Sequence, residues 1–239
     1  MANAKKKRRR SARPKQLELE FHVKGWGGYR PGSGAKKKPK GEAGVSHAKR
    51  ELMTNKDCGF LTFKLRSGLP SLRQVEEDRV LRGVLRDARK EGFRIIHYVV
   101  MSNHLHLLVE ANDNDSLSRA MTGLGRRISA NLNKLWNRKG SLFEDRYHLS
   151  VKRTPIEVRN AIAYVLKNAY RHGVRRLRGI PDFYSSAEYF DGWSDCGSIE
   201  IWEGSPVERP RTFNLGVGWK KAGGLLSLRD RPGGKRTLP

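Results

Sequence analysis

The stretch RIIHYVVMSNHLHLLVE, residues 94–110, decides the fold class of this chain. Two runs rich in aliphatic residues predict strands over residues 94–101 and 104–110. Ser102-Asn103 lies between them and predicts a tight turn, which would pair the two strands in an antiparallel sheet. Side chains alternate between the two faces of a strand, so the second strand has one apolar face and one face that carries two histidines.

The two histidines, His104 and His106, are candidates for a metal site. Both side chains are expected on the same face of the strand, while Leu105, Leu107 and Val109 share the other. Two neighbouring imidazoles can bind one divalent metal ion. The alternative is a strand whose solvent face carries two histidines without a shared function, so the interpretation depends on residues elsewhere in the chain.

The flanking sequence completes a ferredoxin-like pattern. Alternating apolar residues predict strands over residues 58–66 and 143–151, and apolar positions three and four apart predict helices over 71–91 and 115–136. The resulting order, β-α-β-β-α-β, is typical of an α+β fold with a four-stranded antiparallel sheet and two helices on one face. The histidine pair would then lie on the open face of the sheet.

A third helix, outside this basic unit, is predicted over residues 155–171. The preceding sequence, Thr154-Pro155-Ile156-Glu157, has the pattern of a capping box with proline at the first helical position. On a helical wheel, Tyr164 and Asn168 lie together on one flank of the apolar stripe, because residues four apart are neighbours on a helix. We expect this helix to cover the open face of the sheet.

These residue types suit phosphodiester chemistry. An activated tyrosine oxygen is a nucleophile that forms covalent intermediates, so Tyr164 is the predicted catalytic residue. The amide oxygen of Asn168 would add a hard third ligand beside His104 and His106, which favours Mg²⁺ or Mn²⁺ as cofactor. The products of such a step are a phosphotyrosine and a free hydroxyl. The alternative interpretation of Tyr164 is a half-exposed ring that packs on the sheet.

Charge predicts a polyanionic partner. The 239 residues include 49 Lys and Arg against 24 Asp and Glu, for a formal net charge of +25. Nucleic acid is the simplest such partner, and an anionic membrane surface is the alternative. No apolar stretch approaches the ~20 residues of a membrane span, and no signal peptide is visible. Together with two cysteines distant in sequence, this predicts a cytoplasmic protein, and a nucleic-acid partner would place it at the nucleoid.

Three regions follow from composition. Residues 1–50 hold 16 Lys or Arg and 3 acidic residues, which predicts a disordered basic arm for binding nucleic acid or for localisation. Residues 51–173 form the predicted catalytic domain, and residues 174–239 a partly ordered extension. Basic side chains along the second and third helices and on the predicted fourth strand are candidate DNA contacts, although charged helix faces are often only solvated. These candidates are Arg119, Arg126, Arg127, Lys134, Arg138, Arg146, Lys167 and Arg171.

Other aromatic and imidazole side chains are assigned structural roles. Tyr147 shares a strand face with Leu149 and Val151 and is predicted to be core, and His97 is predicted to be a buried or edge histidine. His148 is predicted to be solvated. Phe60, if exposed, could stack on a base.

The segment from Asn103 to Val109 resembles the HUH motif, histidine-hydrophobe-histidine, of the single-tyrosine transposases. The stretches 143–148 and 164–168 are similar to segments of the REP-associated tyrosine transposase branch, and Asn168 replaces the glutamine common in compact mobile elements. The resemblance implies that His104, His106 and Asn168 bind the metal and that Tyr164 is the nucleophile. It also implies cleavage of single-stranded DNA beside hairpins, with covalent attachment to the 5′ phosphate, by a monomer or homodimer.

Two other functions fit parts of the pattern. The same sheet topology serves non-catalytic RNA- and DNA-binding modules, but the aromatic and glycine-rich signature of the RNA module is missing from the first and third strands. A metal hydrolase without a covalent step would use the histidine pair but would still turn over after Tyr164→Phe.

Overall fold

The computed structural model describes residues 50–171 and 179–229. The basic arm predicted over residues 1–50 therefore lies outside the described residues, except for Arg50. The same holds for the chain between residues 172 and 178 and for the last ten residues, so the predicted boundary at residue 173 falls in an undescribed segment.

The main elements follow the predicted order. They are β1 (Cys58–Lys64), α1 (Val75–Arg86), β2 (Phe93–Val100), β3 (His104–Ala111), α2 (Asn114–Leu135), β4 (His148–Lys152) and α3 (Pro155–Arg171). The four strands form one sheet in the order β2-β3-β1-β4, and every described strand pair is antiparallel. The predicted ferredoxin-like α+β fold is thus confirmed.

Three predicted elements are shorter in the structure. The first strand was expected over residues 58–66, but β1 ends at Lys64. The fourth strand was expected over residues 143–151, but β4 begins only at His148, and Phe143 makes an isolated bridge to Leu65. The first helix was expected over residues 71–91 but ends at Arg86. Asp87 caps it through backbone hydrogen bonds to Gly83 and Leu85, and the chain then turns into β2.

A β-bulge changes the expected alternation in β2. The register against β3 shifts between Ile95, which pairs with Val109, and His97, which pairs with Leu108. The additional residue turns Ile96 and His97 towards the same face, so His97 does not share a face with Ile95 as its spacing predicts. Local alternation cannot reveal such a bulge, because the extra residue is set by the pairing between strands.

One face of the sheet carries an apolar core under α1 and α2. Leu61 and Phe63 of β1 and Leu105, Leu107 and Val109 of β3 pack there against the buried sides of both helices. The buried residues of α2 recur three and four apart, as the sequence predicts: Leu117, Ala120, Met121, Leu124, Ile128 and Leu132.

The opposite face is covered by α3 and by the C-terminal extension. Thr154 and Glu157 form the predicted capping box, in which each side chain accepts a hydrogen bond from the backbone N–H of the other residue. In the extension, a 3₁₀ turn (Ser186–Tyr189), a π-helical segment (Asn214–Gly218) and α4 (Trp219–Gly223) follow. The last two pack against α3, so this helix lies between the sheet and the extension. No described helix is long and apolar enough to span a membrane.

Candidate active site

Strand β3 places His104 and His106 on the face that α3 covers. Their ring centroids are 4.7 Å apart, and His106 is only 6% exposed, whereas His104 is partly exposed. Leu105 and Leu107 point to the opposite, apolar core, as alternation requires. The predicted pairing of the two imidazoles on one face is therefore present in the structure.

Hydrogen bonds at Nδ1 orient both imidazoles. The Oδ1 atom of Asn103 lies 2.8 Å from His104 Nδ1, and the hydroxyl of Thr62 lies 2.9 Å from His106 Nδ1. Thr62 is placed there by the pairing of β1 with β3, which sets it directly opposite His106. The Asn103 amide oxygen can only accept, so it favours the His104 tautomer with a proton at Nδ1 and the lone pair at Nε2, the arrangement typical of metal-binding histidines. The Thr62 hydroxyl can accept or donate, and it is compatible with the same tautomer of His106.

The ring of Tyr164 lies beside the histidine pair. Its centroid is 5.4 Å from that of His106 and 5.7 Å from that of Phe60, with both rings near edge-on to it. Phe60 in turn stacks on His106 at 5.2 Å. Tyr164 itself is half-buried, and α3 brings it to the dyad within the same chain. The geometry thus places a phenol and two imidazoles together without requiring a second copy.

Asn168 is the most unusual polar residue of the site. It lies one helical turn beyond Tyr164 and is fully buried, yet neither its amide oxygen nor its amide nitrogen has a hydrogen-bond partner within the described residues. Each such buried group costs about 1–3 kcal/mol, so native proteins satisfy most of them with water, ions or ligands. A buried amide oxygen that accepts no hydrogen bond from the described residues, on the helix that carries Tyr164, suits the predicted third metal contact.

The side chains at the site provide three ligands for a divalent metal only if the amide oxygen of Asn168 is included with the two imidazoles. Within residues 50–171 and 179–229, no group of three or more His, Cys, Asp or Glu side chains is arranged to hold a metal ion. Two imidazoles oriented through Nδ1 and one unsatisfied amide oxygen would provide three neutral ligands. Such a set leaves coordination positions for the charged oxygens of a substrate.

The helical wheel placed Lys167 on the polar side of α3, and the structure corrects this. Lys167 is only 2% exposed, because α3 packs against the extension as well as against the sheet. A buried ammonium is not positioned as a surface contact for DNA phosphates. The side chain of Arg171, predicted beside it, lies outside the described residues.

The basic residues of α2 lie on the other side of the sheet from Tyr164. Arg119, Arg126 and Lys134 are exposed, whereas Arg127 donates a hydrogen bond to the backbone carbonyl of Asp87. The helix packs on the core that contains Leu107, so these side chains do not join the histidine pair. Arg146, which precedes β4, is partly buried.

The structural assignments made for other side chains hold. Tyr147 is buried in the core under α1 and α2, with the Arg50 guanidinium 3.9 Å from its ring centroid, and His148 is exposed. His97 is buried, with Nδ1 3.3 Å from the Ser186 hydroxyl. Burial lowers the pKa of His97 to about 4, so this imidazole is neutral at neutral pH.

Sequence reasoning missed two residues that orient the site. Asn103 was assigned only to a turn and a motif, and Thr62 was given no role at the site. The contact of Thr62 with His106 depends on the β1–β3 register, which a single strand pattern does not specify. The contact of Asn103 with His104 joins adjacent residues and depends on the local conformation of the turn. Phe60 was considered only as a base-stacking residue. In the structure it contacts the rings of His106 and Tyr164.

Part of this chain is similar to known transposases. Residues 70–168 match a family described as "Transposase IS200 like", and this segment includes His104, His106, Tyr164 and Asn168. A solved structure of a REP-associated tyrosine transposase bound to a REP hairpin aligns with 54% of this chain and 75% of that chain, at 18% identity and a TM-score of 0.46. A search of curated proteins finds no match. The resemblance of this chain to the tyrosine transposases is thus confirmed over residues 70–168 by the match to the IS200-like transposase family.

Proposed function

We propose that this chain is a DNA strand-transferase that cleaves single-stranded DNA and rejoins it through a covalent 5′-phosphotyrosine at Tyr164. The family match over residues 70–168 supports transposase chemistry. The net charge of +25 supports a polyanionic substrate. The similar REP-associated transposase was solved with a REP hairpin, and we propose hairpin-bearing single-stranded DNA as the substrate class here.

One observation carries the proposal: the buried, unsatisfied amide of Asn168 on the helix that brings Tyr164 to His106. Four residues of helix span about 6 Å along the axis, and this short separation supports including the amide and the phenol in one proposed site. A purely structural helix would be more stable with an apolar residue at position 168. The amide is therefore best explained by a group that it binds during function.

The covalent step needs an in-line attack by the tyrosine oxygen. Tyr164 Oη would form a bond to phosphorus while the bond from phosphorus to the 3′ oxygen breaks, and the phenolic proton leaves as the 3′ oxygen gains one. The product strand is linked through its 5′ phosphate to Tyr164 and the other strand ends in a 3′ hydroxyl. Attack by a 3′ hydroxyl reverses the step and rejoins DNA without an external energy source.

His104 and His106, through Nε2, and Asn168, through its amide oxygen, would hold Mg²⁺ or Mn²⁺. When bound, the cation would polarise the phosphodiester and stabilise the charge that develops on it. Thr62 and Asn103 keep the two imidazole rings oriented, and Phe60 supports the ring of His106. The rings of His106 and Tyr164 are close enough to act on one phosphate group.

The structure offers no support for a non-catalytic module that binds bases on an open sheet. In RNA-binding domains of this topology, aromatic residues on the exposed sheet face stack on bases. Here α3 and the extension cover that face. A cytoplasmic, nucleoid-associated location and a monomer or homodimer remain predictions that accompany the proposed function.

The test is formation of a protein–DNA adduct. The full chain is incubated with hairpin-bearing single-stranded oligonucleotides and Mn²⁺, and the mixture is separated by denaturing electrophoresis. We expect a covalent adduct that disappears in Tyr164→Phe and persists in Tyr170→Phe, a matched change on the same helix. An adduct that persists in Tyr164→Phe contradicts the assignment of the nucleophile. Cleavage by Tyr164→Phe without any adduct identifies a metal hydrolase instead.

A further inference from the structure

A cavity of about 300 Å³ lies next to the predicted nucleophile. Its lining consists of Phe60, Lys152, Glu157, Asn160, Ala161 and Tyr164. The metal-binding candidates are not part of this lining, so the cavity is a neighbouring compartment that shares Tyr164 and the supporting ring of Phe60 with the site of the phosphodiester chemistry. Its volume is at the lower end of the range found for small-molecule sites.

The walls of the cavity are held by both the sheet and α3. Phe60 is fixed between the rings of His106 and Tyr164, and it lies directly opposite Ser150 in the β1–β4 pairing. Lys152, two residues further along β4, places its ammonium 2.9 Å from the Ser150 hydroxyl. On the α3 side, the small side chain of Ala161 leaves the space that a larger residue would fill.

The chemistry of the lining matches a nucleobase with its phosphate. Phe60, Ala161 and Tyr164 form an apolar, aromatic floor, which suits the flat face of a base. Asn160 is exposed at the rim and carries both a donor and an acceptor, the pair needed to read the edge of a base. Lys152 supplies a positive charge for phosphate. A phosphate group alone would not use the apolar floor, and an apolar ligand alone would not use the rim.

We propose that this cavity binds one unpaired base of the DNA strand next to the scissile phosphodiester. The inference rests on the proposed function, since it takes the strand to be the substrate of Tyr164. In a duplex or a stacked strand the base is not available to the cavity. Binding therefore selects single-stranded DNA and, through Asn160, a preferred base beside the cleavage point.

The first experiment uses an oligonucleotide that the protein cleaves. Single abasic sites are introduced, one at a time, on both sides of the cleavage point, and the rate of adduct formation is measured for each substrate. We expect one abasic position to lower the rate about tenfold, within the range of one base–aromatic stack. Ala161→Leu, which fills the cavity, should slow cleavage of the intact oligonucleotide by a similar factor and show no further loss at that abasic position.

Asn160→Ala provides a second variant that does not disturb the core. It should make the rates for the four bases at the sensitive position converge, while Asn131→Ala, a change of the same type on the exposed side of α2, should preserve the preference of the unmodified protein. If Ala161→Leu fails to fold, the base preference of Asn160→Ala alone tests the inference. The inference is overturned if no abasic position slows the reaction. It is also overturned if the abasic site at one position slows the reaction equally in the unmodified chain and in the Ala161→Leu, Asn160→Ala and Asn131→Ala variants.

A binding measurement separates this inference from catalysis. Oligonucleotides with 2-aminopurine at each position around the cleavage point are bound to Tyr164→Phe in the presence of a chelator. Fluorescence should change on binding at the position that the abasic scan identifies, and Ala161→Leu should abolish the change. If no oligonucleotide forms an adduct, the proposed function fails and the inference with it. If adducts form but neither scan shows a sensitive position, only the inference fails.

Discussion

The two faces of the sheet differ in what they bury. Under α1 and α2, β1 and β3 contribute aliphatic and aromatic side chains to an apolar core. Under α3, β3 contributes the buried His106 and β1 contributes Thr62, which contacts it. Helix α3 itself contributes the buried Lys167 and the buried amide of Asn168, which has no hydrogen-bond partner within the described residues. Burial of apolar surface stabilises a fold, whereas burial of unsatisfied polar groups destabilises it. Both faces bury apolar side chains and so contribute to stability, but the second also brings His106, Tyr164 and Asn168 to one side of the sheet, so we assign the chemistry to it.

The largest expected effect is on the first face. Leu107→Ala removes a fully buried side chain from the apolar core and should lower the free energy of unfolding by about 2–5 kcal/mol. Denaturant titration measures this loss. The affinity of the folded protein for Mn²⁺ should stay within about twofold of the unmodified chain, because Leu107 points away from the site. A large loss of Mn²⁺ affinity in the folded variant would show that the two faces are not separable.

A second test uses His97, which is buried on the second face. Its pKa falls from 6.5 to about 4 because burial disfavours the charged form. The unfolded chain therefore binds more protons than the folded protein between these values. The contribution of His97 to the free energy of unfolding is fully present above pH 6.5 and is lost as the pH falls towards 4. The total loss is about 3 kcal/mol.

His97→Leu should remove this part of the pH dependence. The measurement is the free energy of unfolding at several pH values between 7 and 4 in both proteins, so that titrating groups common to both cancel in the difference. Identical pH profiles for the two proteins would mean that the His97 ring is not held neutral in the folded state.

The sequence pattern predicts some features of these two faces and misses others. Alternation predicted which side chains of β3 lie on each face, and the capping box predicted the start of α3. The β-bulge before His97 was missed because it depends on pairing with β3. Lys167 was misplaced because a helical wheel assumes one packing surface, and α3 has two. Thr62 was missed as a site residue for the same reason as the bulge: strand register is a tertiary property.

Thr62→Val tests whether the second face is organised for a metal. The substitution keeps the shape of the side chain but removes the hydroxyl next to His106 Nδ1. We expect affinity for Mn²⁺ to fall about 10–100-fold, the usual cost of losing such a partner. Thr62→Ser, which keeps the hydroxyl, serves as the control. Equal affinities in both variants would show that the hydrogen bond does not orient a ligand.

The smallest effect has the opposite sign. Asn168→Leu replaces a fully buried amide, which has no hydrogen-bond partner in the described part of the chain, by an apolar side chain of similar size. The change should stabilise the metal-free protein by about 1–2 kcal/mol. Adduct formation should be lost at the same time. Thermal unfolding in a chelator measures the gain in stability, with Asn131→Leu on the exposed side of α2 as the matched control. A destabilised Asn168→Leu would mean that the amide is satisfied within the fold.

Titration of the full chain with Mn²⁺, followed by calorimetry in the absence of DNA, tests most directly whether the second face is a cation site. The unmodified chain should bind one ion, and His106→Ala and Asn168→Leu should each weaken binding at least tenfold. His97→Leu, which changes a buried histidine outside the site, should leave it unchanged. Binding that is equally strong in His106→Ala and Asn168→Leu, or no binding by the unmodified chain, would contradict the assignment of these residues to a metal site beside Tyr164.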